Sequence, residues 1–593
     1  MKKSRYLALA CAGAAVSLGL AACGGSSKTS SGTSSSGASN VSYNAGATAI
    51  VNPSSHKGGT LVYLNSGDWD SPDPGNTYYG YSWDFSRLYA RTLVTYAAAP
   101  GSAGLKVVPD LATSLGQVSN NGLTWTYHLK PNLKLEDGET ITSQMVKYAI
   151  ERTASYSKAG QPAVLPNGPV YWHAFLTDPN YPGAAYDKSP GKMGLAGIST
   201  PDASTLVFHL SKPMAEFDNL AAMSQTAPVP PAKDTGTKYE LHPLSSGPYM
   251  FQSYVPGKSL TLVKNPMWSA SSDTVRKQLV DKITVTLNVN AADLDNRLIA
   301  GVADIGVEGT GLSPNTEARV LTNPNLKKNT DDVLDGFFRY TAISTKVAPF
   351  TNVHCRMAVL YAADHVQMQT AYGGPYAGQL ANQVMMPQLA GYQNGYDPYG
   401  FAAHPHGDVA TAKQQLSLCG KPNGFTTTIA ARSNRPAELA GAQALQASLA
   451  KIGIKADIYQ YPSSNIASVT GTPDFVHKHG LGLMMYGWGP DWPAGFGYLY
   501  AIIDGAAITP AGNSNIEELN DPVVNSDMNT VMANNDLNAR SQIYATVNQQ
   551  VMKDAVILPV IYEKALLYRS PQATNVFYSP SMLMYDYSQI GLK

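Results

Sequence analysis

In the stretch 481–505, LGLMMYGWGPDWPAGFGYLYAIIDG, the acidic residue Asp491 stands among aromatic and glycine residues. Asp491 is the only charged residue of its loop, and Trp488 and Trp492 lie close to it on either side. A single carboxylate at low local dielectric forms strong ion pairs, and indole faces add cation–π attraction. These residue types therefore predict a site for a cationic group such as an ammonium. The alternative is a Gly/Pro connection in which the rings belong to the core and Asp491 stabilises a turn.

Two predicted strands are expected to bring charged residues to this loop. The apolar run Leu483–Tyr486 predicts a buried strand that ends just before Asp491. Earlier in the chain, FTTTIAA predicts a strand, Pro436 the start of a helix and IKADIYQY a second strand, which together form a βαβ unit. Ligands of open α/β sheets bind beyond the carboxyl ends of the strands. Arg432 and Arg435, just past the first of these strands, can therefore share one crevice with Asp491.

Length and charge limit the class of protein. A chain of 593 residues exceeds one hydrophobic core, so two or more lobes are expected. Only 14% of the residues are charged, with 42 basic against 42 acidic side chains. This balance gives no basic surface of the kind that binds nucleic acid.

The N-terminus has the pattern of an exported protein. Residues 1–22 combine a basic start with an uncharged apolar run, which is typical of a signal peptide and too short for a membrane-spanning helix. The sequence Leu-Ala-Ala before Cys23 resembles the bacterial lipobox, in which the cysteine is lipid-modified and becomes the mature N-terminus. Residues 23–57, rich in Ser, Gly and Thr, then predict a flexible linker between the lipid anchor and the folded body. The alternative is ordinary cleavage, which leaves Cys23 unmodified.

Two cysteines remain in the folded part, Cys355 and Cys419. In an oxidising compartment a remaining pair of cysteines usually forms a disulfide. We therefore expect a disulfide between Cys355 and Cys419, with two buried thiols as the alternative.

Five sequence blocks carry a family resemblance. The stretch PDLATSLGQVSNNGLTWTYHLKPNLKLEDGETITSQMVKYAIERT, beginning at Pro109, resembles the signature region of the family 5 solute-binding proteins. These are the extracytoplasmic peptide-binding components of ABC importers. Four more blocks, which begin at Pro201, Ser245, Phe350 and Ala555, resemble family blocks in the same order. Five collinear blocks behind a lipobox make the resemblance specific.

The resemblance implies an α/β protein with the two-lobed, type II periplasmic-binding-protein fold. The first lobe would span residues 58–304, with an extra subdomain at about 95–200, the second lobe 305–555, and a return to the first lobe 556–593. Crossings near Asp304 and Val556 would form the hinge. The expected partners are a short peptide, an ABC permease with its ATPase subunits, and the outer face of the membrane through the lipid anchor. The protein is expected to be a monomer without cofactor or enzymatic activity.

The resemblance also assigns candidate ligand-binding residues. In the family an Asp in a Trp-x-x-Asp segment binds the peptide ammonium, and this segment falls on Trp488 and Asp491. Some dipeptide binders hold the ligand carboxylate with an arginine for which Arg432 occupies the most similar position and Arg435 is the alternative. Trp492 and Tyr486 complete the predicted ligand-binding set. This chain lacks the second acidic residue common after the Asp, which leaves the ligand subclass open.

Other cargoes and activities are the alternatives. The same fold can bind a nickel chelate, an oligosaccharide or another small molecule. The histidine pairs His404/His406 and His477/His479 have spacings that metal ligands can show, but polar neighbours favour solvated loops, so no metal site is predicted. A secreted hydrolase is a remote alternative, because the sequence has no Gly-x-Ser-x-Gly and no His-Glu-x-x-His motif.

Overall fold

The structure is a computed structural model that describes residues 42–155, 164–168, 171–176, 185–189, 192–510 and 512–593. The predicted signal peptide (1–22), the lipidation site Cys23 and the first part of the linker lie outside the described residues. Within the described ranges, no helix is both long and apolar enough to span a membrane.

The first lobe is built on a five-stranded mixed sheet. In spatial order its strands are Ile305–Gly306, Thr60–Leu64, Lys282–Thr286, Ser259–Lys264 and Tyr249–Val255. The strand Thr60–Leu64 is parallel to both of its neighbours, and its alternate residues Leu61 and Tyr63 are buried in the core of this lobe. Helices of this lobe are Gly80–Ser86, Ala291–Ile299, Pro314–Leu321 and Pro324–Lys327.

A subdomain of the first lobe contains a four-stranded antiparallel sheet. Its strands, in spatial order, are Gln117–Ser119, Thr124–His128, Thr205–His209 and Ile198–Asp202. Trp125 and Tyr127 alternate with polar residues and are buried, which places them on the core face of the sheet. The other elements of this region are the strand pair Val94–Tyr96 and Val107–Pro109 and the helices Ser143–Thr153, Tyr171–Phe175 and Phe217–Ala221.

The second lobe is built on a six-stranded sheet. In spatial order its strands are Gly378–Leu380, Ile557–Tyr568, Thr330–Ile343, Leu483–Trp488, Thr426–Arg432 and Lys455–Tyr461. The predicted βαβ unit is present, because Thr426–Arg432 and Lys455–Tyr461 are parallel and the helix Pro436–Ala450 connects them. The predicted buried strand Leu483–Trp488, called the core strand below, lies in the middle of the sheet.

Successive residues of the core strand and of Ile557–Tyr568 are buried, so both faces of this sheet are covered, and the lobe contains several helices. They are Val353–Ala362, His365–Ala371, Val409–Leu418, Pro436–Ala450, Ile466–Val469, Pro473–His479, Gly495–Ile503, Pro522–Ala533 and Leu537–Asp554. Cys355 in the first of these helices and Cys419, directly after the helix Val409–Leu418, form the predicted disulfide, with Cα atoms 5.2 Å apart.

Two long strands connect the lobes, and we call them the crossing strands: Thr330–Ile343 and Ile557–Tyr568. They pair antiparallel with an irregularity between Leu334 and Phe338. The predicted crossing near Asp304 is too early, because Leu312 and Val320 pack in one cluster with Leu64 of the first lobe. Along the first crossing strand the chain passes from one core to the other, since Val333 packs in the core of the first lobe and Phe338 in that of the second.

The predicted flexible linker is also shorter than expected. Residues 42–57 lie against the folded body: they form the short helix Ala45–Thr48, and Val51 pairs with Val576. The amide of Gly46 donates to Asp331 at 2.8 Å. A segment rich in small residues is predicted to be flexible, but here its backbone groups form hydrogen bonds with the folded part of the protein. The C-terminal segment adds two strand pairs, Ala573–Thr574 with Gly591–Leu592 and Tyr578–Ser579 with Met584–Tyr585.

Candidate functional site

Asp491 lies between the two lobes. It follows the core strand, and its amide donates to the carbonyl of Gly497 at 3.0 Å, which closes the loop before the helix Gly495–Ile503. Its carboxylate accepts two hydrogen bonds from the other lobe. Tyr78 of the first lobe donates to Oδ1 at 2.5 Å, and Tyr171 of the subdomain donates to Oδ2. The carboxylate of the second lobe is therefore held by hydroxyls of the first.

The charge of Asp491 has no counterion among the residues whose positions are described. Among the residues that the structure describes, no basic side chain forms an ion pair with Asp491. Burial raises the pKa of this carboxyl to about 6, while the hydrogen bonds from Tyr171 and Tyr78 oppose that rise. Two neutral donors leave acceptor capacity on a carboxylate. An ammonium that reaches Asp491 would supply the missing positive charge.

A cavity of about 50 Å³ adjoins this carboxylate. The second lobe contributes Asp491, Trp492 and Pro493 to its wall, and the first lobe and C-terminal segment contribute Trp83, Asn219, Met582 and further residues. The cavity is thus bounded by both lobes. Its size suits a small polar group rather than a whole solute.

The predicted aromatic residues have mainly structural contacts. Trp492 is only 3% exposed and donates through Nε1 to Glu216 at 2.7 Å, while its ring packs edge-on against Tyr171 at 4.9 Å. Trp488 donates to the carbonyl of Tyr498 at 3.0 Å. The structure therefore brings Trp492 beside Asp491 but leaves little of its indole free for the cation–π contact that the sequence predicted.

Tyr486 lies deeper in the second lobe than Asp491. It is buried on the core strand, with its ring 5.7 Å from that of Tyr340 on the first crossing strand. Burial raises the pKa of Tyr486, while a hydrogen bond with Ser514 opposes the rise. Its contacts are those of a core residue.

Arg432 is engaged by its own lobe. Its Nε donates to Glu438 at 2.8 Å and its backbone amide donates to the same carboxylate at 2.7 Å. Both residues are buried, and their ion pair joins the end of the strand to the first turn of the following helix. A guanidinium already paired with Glu438 has fewer donors for the ligand carboxylate that the sequence predicted it to bind.

Arg435 has the freer guanidinium. It is exposed, and in the described ranges no acidic side chain forms an ion pair with it. Partial burial lowers its pKa, and the neighbouring charges of Arg432 and Arg339 lower it further. Arg435, the alternative candidate from the sequence, is thus better placed to bind an anion than Arg432, the first candidate.

Several residues at this site were not identified from the sequence. Tyr78 and Tyr171 hold Asp491, Glu216 holds Trp492, and Arg339 on the first crossing strand pairs with Glu563 on the second at 2.6 Å. Gly487 makes room for Arg339, since a Cβ there would lie 2.4 Å from Nη1. The glycine in an otherwise bulky strand was a signal for such an approach.

An acidic residue adjoins this pair at the hinge. Asp335 lies in the irregular part of the first crossing strand, where burial and the nearby charge of Glu563 raise its pKa to about 8. Arg339 opposes this rise. Asp335, Arg339 and Glu563 thus form a cluster of ionisable side chains on the crossing strands, in contrast to the mostly aromatic surroundings of Asp491.

Comparison with known proteins places these features in context. A family model described as bacterial extracellular solute-binding proteins, family 5 Middle, matches residues 106–509. The solved structure of clavulanic acid biosynthesis oligopeptide binding protein 2 is 38% identical, with a TM-score of 0.89, and covers 94% of this chain and 99% of its own. Heme-binding protein A of Haemophilus influenzae is 24% identical over 554 residues, which are 90% of this chain and 92% of the relative.

A third similarity is to a structure with a bound peptide. The periplasmic binding protein DppA from Helicobacter pylori, solved in complex with the peptide STSA, is 20% identical, has a TM-score of 0.67 and covers 91% of this chain and 99% of its own. The solved structures confirm the predicted α/β fold with two lobes.

Proposed function

Since this chain belongs to the bacterial extracellular solute-binding proteins of family 5, we propose that it captures short peptides between its two lobes and delivers them to an ABC importer. The observation that carries the proposal is Asp491: a carboxylate between the lobes that accepts two tyrosine hydroxyls and has no basic partner among the described residues. The N-terminal ammonium of a peptide is the group that completes this site.

The names of the relatives support a peptide but do not restrict the cargo to one. One similar structure is named as an oligopeptide-binding protein and another contains the peptide STSA, whereas a curated relative is named for heme. A peptide has an ammonium at one end, and Asp491 is suited to that end. A non-peptide solute without a cationic group would cover this half-buried carboxylate without pairing its charge, which is costly.

Arg435 is the proposed partner of the peptide carboxylate. It is exposed beyond the carboxyl end of the strand Thr426–Arg432, the position at which α/β sheets bind ligands. A guanidinium binds a carboxylate through two parallel hydrogen bonds. Arg432 instead supports this end of the strand through Glu438.

Capture depends on movement of the lobes about the crossing strands. A peptide that contacts residues of both lobes binds the closed form better than the open form and so shifts the equilibrium toward closure. The closed form would be the one that docks on the permease. Lipid attachment at Cys23 would keep the protein at the outer face of the membrane, with export directed by the signal peptide 1–22.

Native mass spectrometry of the purified protein tests the proposal. We expect mass increments of short peptides on the wild-type protein that are lost when the protein is denatured, and identified fragments with free N-termini. The Asp491→Asn variant should lose the increments, whereas Asp457→Asn, at an exposed position of the same lobe, should retain them. A heme, sugar or metal chelate in place of peptides, retained by both variants, would contradict the peptide proposal.

A further inference from the structure

Glu216 is a carboxylate of the first lobe that is inserted into the second. It directly precedes the helix Phe217–Ala221 of the subdomain and is only 2% exposed. Trp492 donates to its Oε2 at 2.7 Å, and Tyr544 donates to its Oε1 at 2.6 Å. Both donors belong to the second lobe. One carboxylate therefore joins two separate elements of the opposite lobe.

A third residue of the second lobe lies near the same oxygen. Arg540 is one helical turn before Tyr544 on the helix Leu537–Asp554, and its Nη1 is 3.8 Å from Oε1 of Glu216. Nη1 and Nε of Arg540 are buried without a hydrogen-bond partner among the described residues. Removal of Glu216 would leave this guanidinium without its nearby carboxylate, which is unfavourable in a buried place.

The backbone beside Glu216 forms a further hydrogen bond with the second lobe. The amide of Ala215 donates to the carbonyl of Met532, in the helix Pro522–Ala533 of the second lobe, at 2.8 Å. Glu216 and its neighbour thus contact two helices and one loop of the opposite lobe. These contacts lie in the subdomain, whereas the covalent connections between the lobes are the crossing strands.

Tyr544 also fixes the segment that carries Asp491. A Cβ at Gly495 would lie 2.5 Å from the Tyr544 ring, so the first residue of the helix after the Asp491 loop packs directly on that ring. Trp492, next to Asp491 in sequence, is held by the same carboxylate. Glu216 therefore fixes the position of Asp491 relative to the first lobe through two contacts, one with Trp492 and one with Tyr544.

From this geometry we infer that Glu216 is a positioning residue that fastens the Asp491 loop to the first lobe and stabilises the closed arrangement. The inference rests on the proposed capture of a solute between the lobes. Glu216 does not contact the cavity beside Asp491. Its substitution acts on ligand affinity only through the fraction of molecules that are closed, because the apparent dissociation constant is the intrinsic one divided by that fraction.

Small-angle X-ray scattering of the full chain without added peptide tests the inference directly. In Glu216→Gln one of the two acceptor oxygens is replaced by an NH2 group, which cannot accept a hydrogen bond, so we expect a larger radius of gyration than in the wild type. Tyr544→Phe removes a single hydroxyl, and we expect a smaller shift in the same direction. Glu151→Gln is the matched control, since Glu151 is a buried acid of the same subdomain that accepts from Leu195 within the first lobe.

Peptide affinity supplies the second readout. With tetra-alanine as the probe, we expect Glu216→Gln to weaken binding about tenfold and Glu151→Gln to leave it unchanged, at comparable melting temperatures. If Glu216→Gln does not fold, Tyr544→Phe decides the matter by the same two measurements. An unchanged radius of gyration and affinity in the folded variants would overturn the inference.

Failure of the proposed function gives a different result. If no peptide binds the wild type but Glu216→Gln still enlarges the protein, the peptide proposal fails and the role of Glu216 stands.

Discussion

The hydroxyl of Tyr78 in the first lobe donates a hydrogen bond of 2.5 Å to Asp491 in the second lobe. Tyr78 is 42% exposed as a residue, although its hydroxyl is directed onto a carboxylate that burial has shifted to a pKa of about 6. An exposed ring with an engaged hydroxyl is accessible to a solute that enters between the lobes. Asp491 is therefore half-buried and reachable along Tyr78.

Substitution of Asp491 by asparagine should weaken peptide binding strongly. Asparagine preserves shape but removes the charge that pairs with the peptide ammonium, so we expect a loss of about 2–4 kcal/mol in binding free energy. Isothermal titration calorimetry with tetra-alanine measures it. N-acetylated tetra-alanine, which has no ammonium, should bind weakly to the wild type and equally weakly to the variant. Equal affinity of Asp491→Asn and wild type for the free peptide would refute the role of Asp491.

Peptide affinity should fall at acid pH. Because the pKa of Asp491 is raised to about 6 in the folded protein, its carboxyl becomes protonated below that pH and no longer attracts an ammonium. We expect the affinity to drop by roughly tenfold per pH unit below pH 6. Titrations at pH 7, 6 and 5 provide the profile. The profile of Asp491→Asn should be flat over the same range, and a flat wild-type profile would contradict the assignment.

The raised pKa of Asp491 also makes folding stability depend on pH, but in the opposite direction: stability should fall as pH rises. Between the ordinary carboxyl range and pH 6 the folded state retains a proton on Asp491 that the unfolded chain has released. The contribution of Asp491 to stability is therefore greatest at low pH and decreases as pH rises through this window. Asp491→Asn should remove this dependence, so the difference in melting temperature between variant and wild type should be larger at pH 7 than at pH 4, with the variant the more stable at pH 7.

The sequence predicted those parts of the site that depend on local pattern. The apolar run before Asp491 became the core strand, and the spacing around Pro436 became the βαβ unit, because strand and helix periods are local properties. Tyr78, Tyr171 and Glu216 had no such signal, since they meet the Asp491 loop across 413, 320 and 276 residues of chain. Contacts of that separation are set by how the lobes pack.

The two arginines at the end of the strand Thr426–Arg432 show a second limit of prediction from the sequence. Sequence position placed Arg432 and Arg435 together but could not decide which one is paired internally. The helix that begins at Pro436 directs Glu438 back toward the strand, where it accepts from the backbone and side chain of Arg432. Which arginine pairs with Glu438 depends on the geometry of the turn between strand and helix. The spacing of the two arginines in the sequence does not specify that geometry.

The disulfide between Cys355 and Cys419 should stabilise the second lobe. It joins residues 64 positions apart, and closing a loop of that length in the unfolded chain corresponds to about 4 kcal/mol. We expect the double variant Cys355→Ser/Cys419→Ser to melt at a lower temperature in scanning calorimetry. Addition of a reductant should lower the melting temperature of the wild type toward that of the variant and leave the variant unchanged. A wild type that titrates with free thiols at these two positions before reduction would contradict the pairing.

Arg435 and Arg432 should respond to substitution in opposite ways. Arg435 is exposed and has no acidic partner in the described part of the chain, so Arg435→Ala should preserve the melting temperature and weaken binding of tetra-alanine by about 1.5–3 kcal/mol, the range for a hydrogen bond to a charged group. C-terminally amidated tetra-alanine should bind the variant and wild type alike.

Arg432→Ala leaves Glu438 buried without its partner and should destabilise the protein by about 3–5 kcal/mol. If Arg432→Ala instead keeps its stability and loses discrimination against the amide, Arg432 holds the carboxylate and the sequence-based order of the two arginines is right.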